Sequence, residues 1–472
     1  MKHMLGLDCG NSSYRIFLGA YDGQTIRMEL IDQQPNAMIQ VGDRFYWDIL
    51  AIFEGFKHAL RKAAETQTID SIGVCTWGVD FSLLTREGQM LGYPLSYRNA
   101  IGADFLNRLD ASQQAKLFEQ TGILCDRINS VYMLQGIRET MPSLYAAADK
   151  LLMIPDILNY LLTGVLQNEP SELSTTQLMD VHTAQISEEA CRMFGISPTL
   201  FSSVGTHGKC IGMLSQSIRE ELNLEQEIPV ICVPSHDTAC AVLAVPAREK
   251  DFAFISSGTW SLIGTELAAP RVTPEALQSG LTNEMGAFGR ITLLKNNAGM
   301  YLIQRVRQEC EAALGRPVSW GEMVVMAEQA PKRCLFDVND SRFFNPASMS
   351  AAIWGALTQS GQVQGEVDWP TMIVSVYLSL AESYALCVQN LEKVTGKRFA
   401  SLYIVGGGSR NDLLNHLTAE RTGRTVIACD GESTVLGNIA AQIAYFEPEQ
   451  TPETLRAVVA RSVNARIFEC NA

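Results

Sequence analysis

The same short design opens both halves of this chain. "MLGLDCGNSSYRIFLGAYDG" from Met4 and "DFAFISSGTWSLIGTELAAP" from Asp251 each read as strand, turn of glycine and hydroxyl residues, strand. Strand-helix units follow in both. "WDILAIFEGFKHALRKAAE" carries Ile49, Ile52, Phe53, Phe56, Leu60 and Ala63 at helical spacing behind an Asp48 cap. "SLYIVGGGSRNDLLNHLTAERTG" and "RTVIACDGESTVLGNIAAQIAYF" read as strand, loop, helix. A repeated opening of this kind implies two related mixed α/β domains, each a sheet flanked by helices, with a cleft between them. The short polar stretch Ala247 to Lys250 sets the expected border, giving domains 1–246 and 247–472.

Finer expectations follow from local signals. Asp22-Gly23 marks a turn. "LLMIPDILNYLLTG" reads as a helix stopped by Gly164, within a mostly helical middle from about Gly102 to Glu221. "SIGVCTWGVDFSLL" reads as one long strand.

Bulk properties narrow the partners. The 472 residues allow two cores. Net charge is 37 − 51 = −14, which disfavours nucleic acid and anionic lipid. An anionic ligand must then be held by local backbone dipoles. Twelve cysteines show no CxxC pair and no metal-ligand spacing. Cys75, Cys232 and Cys429 fall in strand-like runs and read as reduced core thiols of a cytoplasmic protein. No signal peptide and no membrane span are expected.

The two turns suggest a chemistry. Gly10, Asn11, Ser12 and Ser13 offer backbone N–H groups and short hydroxyls to phosphate oxygens, and Asp8 could hold a hydrated Mg²⁺. "SSGTW" repeats the design, so the pair could grip a polyphosphate; taken singly, each is also an ordinary hairpin turn. A GxxxxGK[ST] loop is absent. "VGGGSRN" lets a ligand approach the backbone closely, or serves as a packing turn. Between the buried runs Ile228–Val233 and Ala239–Val245 stand Ser235, His236 and Asp237. Either Ser235 or Asp237 caps the helix beginning near Thr238, or Asp237 accepts a proton from an alcohol during phosphoryl transfer while His236 binds substrate hydroxyls. "TWGVDF" offers Trp77 as an apolar platform or as core. Asn296 and Asn297 are read as loop amides that bind a ligand or cap the next helix.

The stretches "LDCGNSSYR", "SIGVCTWGVDFSLL", "PSHDTACAV", "SSGTWSLIG", "LTNE", "LLKNNAGMYLIQR", "SRFFNP", "IVGGGSRNDLLN" and "STVLGNIA" together give a further reading. The chain resembles the FGGY family of carbohydrate kinases, and within it the rhamnulokinases, over roughly residues 4 to 445. The resemblance implies two actin-like, ribonuclease-H-like ATPase domains with a catalytic cleft between them. The first would bind sugar and carry the first phosphate hairpin and the catalytic aspartate, and the second would bind ATP. It implies transfer of the γ-phosphate of ATP, with Mg²⁺, to the 1-hydroxyl of L-rhamnulose. By position in the motifs, Asp237 would be the catalytic base. Trp77, Gly78, His236, Asp237, Thr238 and Asn296 would meet the sugar. Asp8, Asn11, Ser12, Ser13, Tyr14, Arg15, Thr259, Gln304 and Gly407 would meet ATP, with Asp8 toward the metal. The partners implied are the ketose and ATP, in a monomer or homodimer.

Three departures from the family pattern matter. Tyr14 replaces a glycine, which predicts a bulkier phosphate turn. Cys75 and Asn99 replace acids, which admits another ketose, such as L-fuculose or a pentulose. Tyr14 also admits a sugar-binding regulator with weak catalysis.

Overall fold

In a computed structural model, which describes residues 1–99, 101–331 and 333–470, the chain forms two compact units. The first comprises Met1–Lys250, Glu266–Leu293 and Glu432–Val463; the second comprises Asp251–Thr265, Leu294–Gly431 and the segment from Asn464. Compactness therefore does not follow the chain in two consecutive pieces. Two later segments join the first unit, because helix Ser433–Phe446 finishes its core. Val435, Ile439 and Ile443 pack with Met4, Phe17 and Ile231. Glycine permits the close approach. A Cβ on Gly73 would come within 2.3 Å of Asn438 Oδ1, and one on Gly437 within 1.9 Å of the Cys240 carbonyl oxygen.

The first unit is built on a six-stranded sheet. Its order is Cys210–Met213, Pro229–Ile231, Ser71–Thr76, Lys2–Cys9, Ser13–Tyr21, Ile26–Pro35. Lys2–Cys9 runs antiparallel to Ser13–Tyr21 and parallel to Ser71–Thr76. Alternation along Lys2–Cys9 sends Leu5, Leu7 and Cys9 to one face and Met4 to the other. The first face is closed by helices Ile49–Ala64 and Ile154–Thr163. Burial on both sides explains why these strands read as continuous apolar runs. Asp48 caps helix Ile49–Ala64, accepting from the Ala51 N–H, and Gly164 ends helix Ile154–Thr163 in the left-handed region.

The long strand expected from Ser71 to Leu84 is instead two, Ser71–Thr76 and Phe81–Leu84. Phe81–Leu84 pairs with Lys150–Met153 in a separate ribbon. The chain breaks where Val79 takes φ 71° and its N–H turns to Thr175 Oγ1 at 2.9 Å.

In the second unit the strands Ile291–Ala298, Trp260–Leu267, Ala253–Ser257, Ser401–Val405, Thr425–Cys429 and Ala465–Phe468 lie in that order in a seven-stranded sheet. Ala253–Ser257 and Trp260–Leu267 form the second hairpin. Helix Trp369–Thr395 is long and apolar enough to cross a membrane, yet 78% of its apolar window is buried inside the protein, with Tyr377, Leu380 and Tyr384 in the core. All twelve cysteines are unpaired.

Candidate active site

Asp237 is the first residue of helix Asp237–Leu243, and His236 occupies the N-cap position without a side-chain cap. The capping alternative is therefore overturned. Ser235 Oγ donates to the Val233 carbonyl at 3.0 Å, and the Ser235 carbonyl accepts from the Thr76 N–H at 2.8 Å. The loop is thus tied to the end of the Ser71–Thr76 strand. The Asp237 side chain keeps 37% of its surface open. Its Oδ1 accepts from Thr238 Oγ1 at 3.1 Å and lies 3.5 Å from His236 Nε2. Among the described residues no hydrogen bond reaches Oδ2. One oxygen is anchored and the other can take a proton.

The first hairpin turn stands on the same unit. Gly10 donates to the Ser13 carbonyl at 3.0 Å, and Asn11 and Ser12 are exposed. Asn36 braces the turn from the side. Its N–H donates to the Ser12 carbonyl at 3.0 Å, and its amide donates to the Gly10 carbonyl at 2.8 Å. Asp8 and Arg15 face each other across the strand pair and form an ion pair at 2.5 Å; Arg15 also pairs with Glu432. Burial pushes the Asp8 carboxyl up to about 6, against the pull of Arg15, and Asp237 adds like-charge repulsion. Asp8 therefore senses the charge of Asp237.

Several expected positions prove structural. The Tyr14 side chain does not fill the turn. It is buried in the core, its hydroxyl so near helix Ile49–Ala64 that a Cβ on Gly55 would be 2.0 Å away. Alternation along the strand sends it inward, so a ligand can meet only its backbone. Trp77 is likewise core rather than platform. It is 3% exposed, its ring centroid lies 4.3 Å from that of Trp47, and its indole N–H donates to Asp80 Oδ2 at 2.9 Å. Trp47 donates to the same oxygen at 2.6 Å. Burial lifts the Asp80 carboxyl to about 7 despite these donors. Gly78 packs against His236: a Cβ there would press on Thr175 at 3.0 Å and on His236 Nε2 at 3.1 Å.

Cys75 is buried, with Sγ 3.3 Å from the Leu7 carbonyl. Asn99 brackets a loop, donating to the carbonyls of Phe45 and Ser96 and accepting from the Phe45 N–H. Both departures from the family pattern are thus absorbed by packing and loop closure.

The remaining expected residues belong to the second unit. Asn296 and Asn297 lie in strand Ile291–Ala298, not in a loop. Met300, with no side-chain cap, precedes helix Tyr301–Leu314, so neither amide caps it. Asn296 is exposed. Asn297 is buried and accepts from Asn339 and Ser383. Thr259, Gln304 and Gly407 are all exposed. Two sequence motifs meet here. A Cβ on Gly408 would stand 1.9 Å from Ser257 Oγ, whereas nothing lies within 4 Å of one on Gly407. The glycine run leads into the short 3-10 turn Gly407–Arg410 rather than directly into helix Asp412–Thr422.

The chain matches the FGGY family of carbohydrate kinases, N-terminal domain, over residues 3–244 and the family's C-terminal domain over residues 253–445. It belongs to the FGGY family of carbohydrate kinases. A Bacteroides thetaiotaomicron protein named rhamnulokinase is 36% identical over 478 residues, covering 99% of this chain and 96% of the relative. A Klebsiella pneumoniae rhamnulokinase is 35% identical over 480 residues, covering 100% and 95%. Among solved structures, gluconate kinase from Lactobacillus acidophilus superposes with TM-score 0.84 at 16% identity, over 100% of this chain and 94% of that one. Plasmodium falciparum glycerol kinase with ADP gives 0.81 at 14%, over 100% and 94%. The fold is the two-domain FGGY carbohydrate kinase fold, of the actin-like ATPase type. The enzyme is a sugar kinase, a phosphotransferase whose small-molecule partners are a sugar and ATP.

Five residues of this kinase's first unit escaped the sequence reading. Asn36 and Glu432 brace the hairpin. Ser171 accepts from the His236 N–H at 3.0 Å and donates to Glu169 at 2.6 Å. Glu169, despite burial, is held below the usual carboxylate range by His207. Glu284 lies 3.3 Å from His236 Nδ1. Glu432 fell in the strand-loop-helix stretch from Arg424 and Glu284 in "LTNE", and neither stretch pointed to its partner.

Proposed function

We propose that this kinase transfers the γ-phosphate of ATP to the 1-hydroxyl of L-rhamnulose, with Asp237 as general base. The observation that carries the reaction is the asymmetric environment of Asp237: Oδ1 is engaged by Thr238 and flanked by His236, and Oδ2 remains available. The acceptor hydroxyl gives its proton to Oδ2 as its oxygen bonds to the γ-phosphorus. The bond from that phosphorus to the β–γ bridging oxygen breaks, and ADP leaves. The choice of sugar rests on the full-length similarity to proteins named rhamnulokinase.

Gly78, His236, Asp237 and Thr238 of the first unit are assigned to the acceptor. Asn11, Ser12 and Ser13 offer amides and hydroxyls to phosphate, the Tyr14 backbone continues that turn, and Arg15 adds charge. Thr259, Gln304 and Gly407 are assigned to the nucleotide. Asp8 would hold Mg²⁺. Among the described residues no group of three His, Cys, Asp or Glu could bind a metal by itself. One buried carboxylate, electrostatically coupled to Asp237, fits an ion held mainly by phosphates and water. That ion would neutralise charge on the transferring phosphoryl group. The unpaired thiols accord with a reducing, cytoplasmic setting.

A sugar panel with coupled ADP detection tests the substrate. L-Rhamnulose should give the highest kcat/KM, and a preference for L-fuculose or a pentulose would replace it. Asp237→Asn should lower kcat by about 10²–10⁴-fold while the Kd for ATP, read by calorimetry, stays near wild type. Undiminished turnover would remove Asp237 from the mechanism.

A further inference from the structure

One ion pair beside the proposed acceptor site has no part in that mechanism. His236 faces a carboxylate at each ring nitrogen: Nδ1 is 3.3 Å from Glu284 Oε2, and Nε2 is 3.5 Å from Asp237 Oδ1. Glu284 sits on strand Thr282–Met285. The His236 and Glu284 side chains are only 12% and 15% exposed, so water screens the pair weakly. Gly78 bounds the ring on another side, where a Cβ would be 3.1 Å from Nε2. The backbone is fixed too, through the His236 N–H donated to Ser171 Oγ.

We infer that Glu284 is a positioning residue: by holding His236 at Nδ1 it aims Nε2–H at the point where Asp237 meets the acceptor hydroxyl. The inference rests on the phosphotransfer reading for its acceptor. A neutral imidazole has one N–H and would leave one of the two carboxylates facing a bare lone pair; the cation turns a charged N–H toward each at ion-pair distance. Burial lowers the His236 pKa, but Glu284 above all, with Asp237 on its own helix and Glu169 beside helix Pro170–Ser174, lifts it to about 9. The doubly protonated ring then does two things. It places positive charge beside Oδ1 of Asp237, leaving Oδ2 for the proton, and its Nε2–H, which at 3.5 Å makes no close hydrogen bond to Oδ1, is left for the sugar. Loss of Glu284 should weaken the acceptor's binding much more than ATP's.

The test is Glu284→Gln in the full chain, with the ring nitrogens of His236 titrated by ¹⁵N NMR and assigned through His236→Gln. Removing the carboxylate removes the influence that raises the pKa, so the ring should lose its proton at least about one pH unit earlier. For a ring that titrates one unit earlier, the KM for the sugar should rise about twofold at pH 8 and about fivefold at pH 9, as the protonated fraction falls. It should return toward wild type at pH 6, where both proteins are protonated. KM for ATP should hold. Glu284→Asp keeps the charge and should keep the titration near wild type. An unchanged titration in Glu284→Gln would overturn the inference, as would a KM loss equal at pH 6 and pH 8, which is what a purely structural role predicts. If the wild type phosphorylates no sugar, the phosphotransfer reading fails. The NMR titration then decides alone: an earlier loss of the proton supports Glu284's hold on His236, and an unmoved one ends it.

Discussion

The two hairpins share a backbone plan and differ in what they place around it. In the first, the strand ends carry charge: Asp8 and Arg15 oppose each other and Glu432 closes the set. Tyr14, next to the turn, is spent on the core. In the second, Ser257 opposes Ser261, and the turn, closed by Gly258 donating to the Trp260 carbonyl at 2.8 Å, leads to exposed aromatics. Trp260 and Phe344 are 51% and 57% exposed, with ring centroids 6.1 Å apart, on a cavity of about 190 Å³ that Thr259 and Asn339 also line. The same fold device thus bears buried ionic chemistry in one unit and an open hydroxyl and aromatic surface in the other. Stability and ligand contact are fused in the first hairpin and separable in the second.

The sharpest contrast comes from removing one side chain at each turn. Arg15→Ala leaves Asp8 buried without its cation and should cost about 3–4 kcal/mol of stability, toward the low end for a broken buried pair because Arg15 is partly exposed. Thr259→Ala should cost under about 0.5 kcal/mol while raising KM for ATP about tenfold, the worth of one hydrogen bond. Urea melts beside nucleotide kinetics read both. Equal folding costs at the two turns would erase the distinction.

A smaller effect tests the ionic side by pH. Asp8 rises from 3.8 to about 6 on folding, so the folded state binds this proton more tightly than the unfolded chain. The stability this contributes is fully present below about 4 and is lost as pH rises through about 6, a span of about 2–3 kcal/mol. Urea melts of Asp8→Asn should lack that slope between pH 4 and 7. An identical slope in the variant would assign it to other groups. Smallest of all is a pair of neighbouring glycines in the second unit. Gly408→Ala drives a methyl into Ser257 and should lower stability by about 1–3 kcal/mol. Gly407→Ala meets open space and should leave the melting temperature unchanged. A loss in Gly407→Ala as large as in Gly408→Ala would mean the run is sensitive as a whole.

What could be read before the fold was seen were features whose cause is local. The hairpins, the Asp48 cap, the Asp22-Gly23 turn and the Gly164 stop each depend on a few adjacent residues. The misread features depend on distant partners. Val79 breaks its strand because Thr175 takes its N–H. Trp77 turns inward because Asp80 and Trp47 wait there. Tyr14 points into the core because its position on the strand faces helix Ile49–Ala64. The proposal for Asp237 comes from its motif, whereas the group proposed to orient its neighbour, Glu284, lies 48 residues on, as 284 − 236 shows. A side-chain pairing over that distance leaves no periodic trace in sequence.

Helix Ser433–Phe446 has a consequence for biosynthesis. Strand Lys2–Cys9 is made early, but the helix that roofs Met4, Phe17 and Ile231 leaves the ribosome about 400 residues after Phe17. Throughout elongation the earliest strands are made yet bare on one side. The nascent protein must keep that greasy surface from its neighbours until the helix arrives, an interval in which misassembly competes with folding.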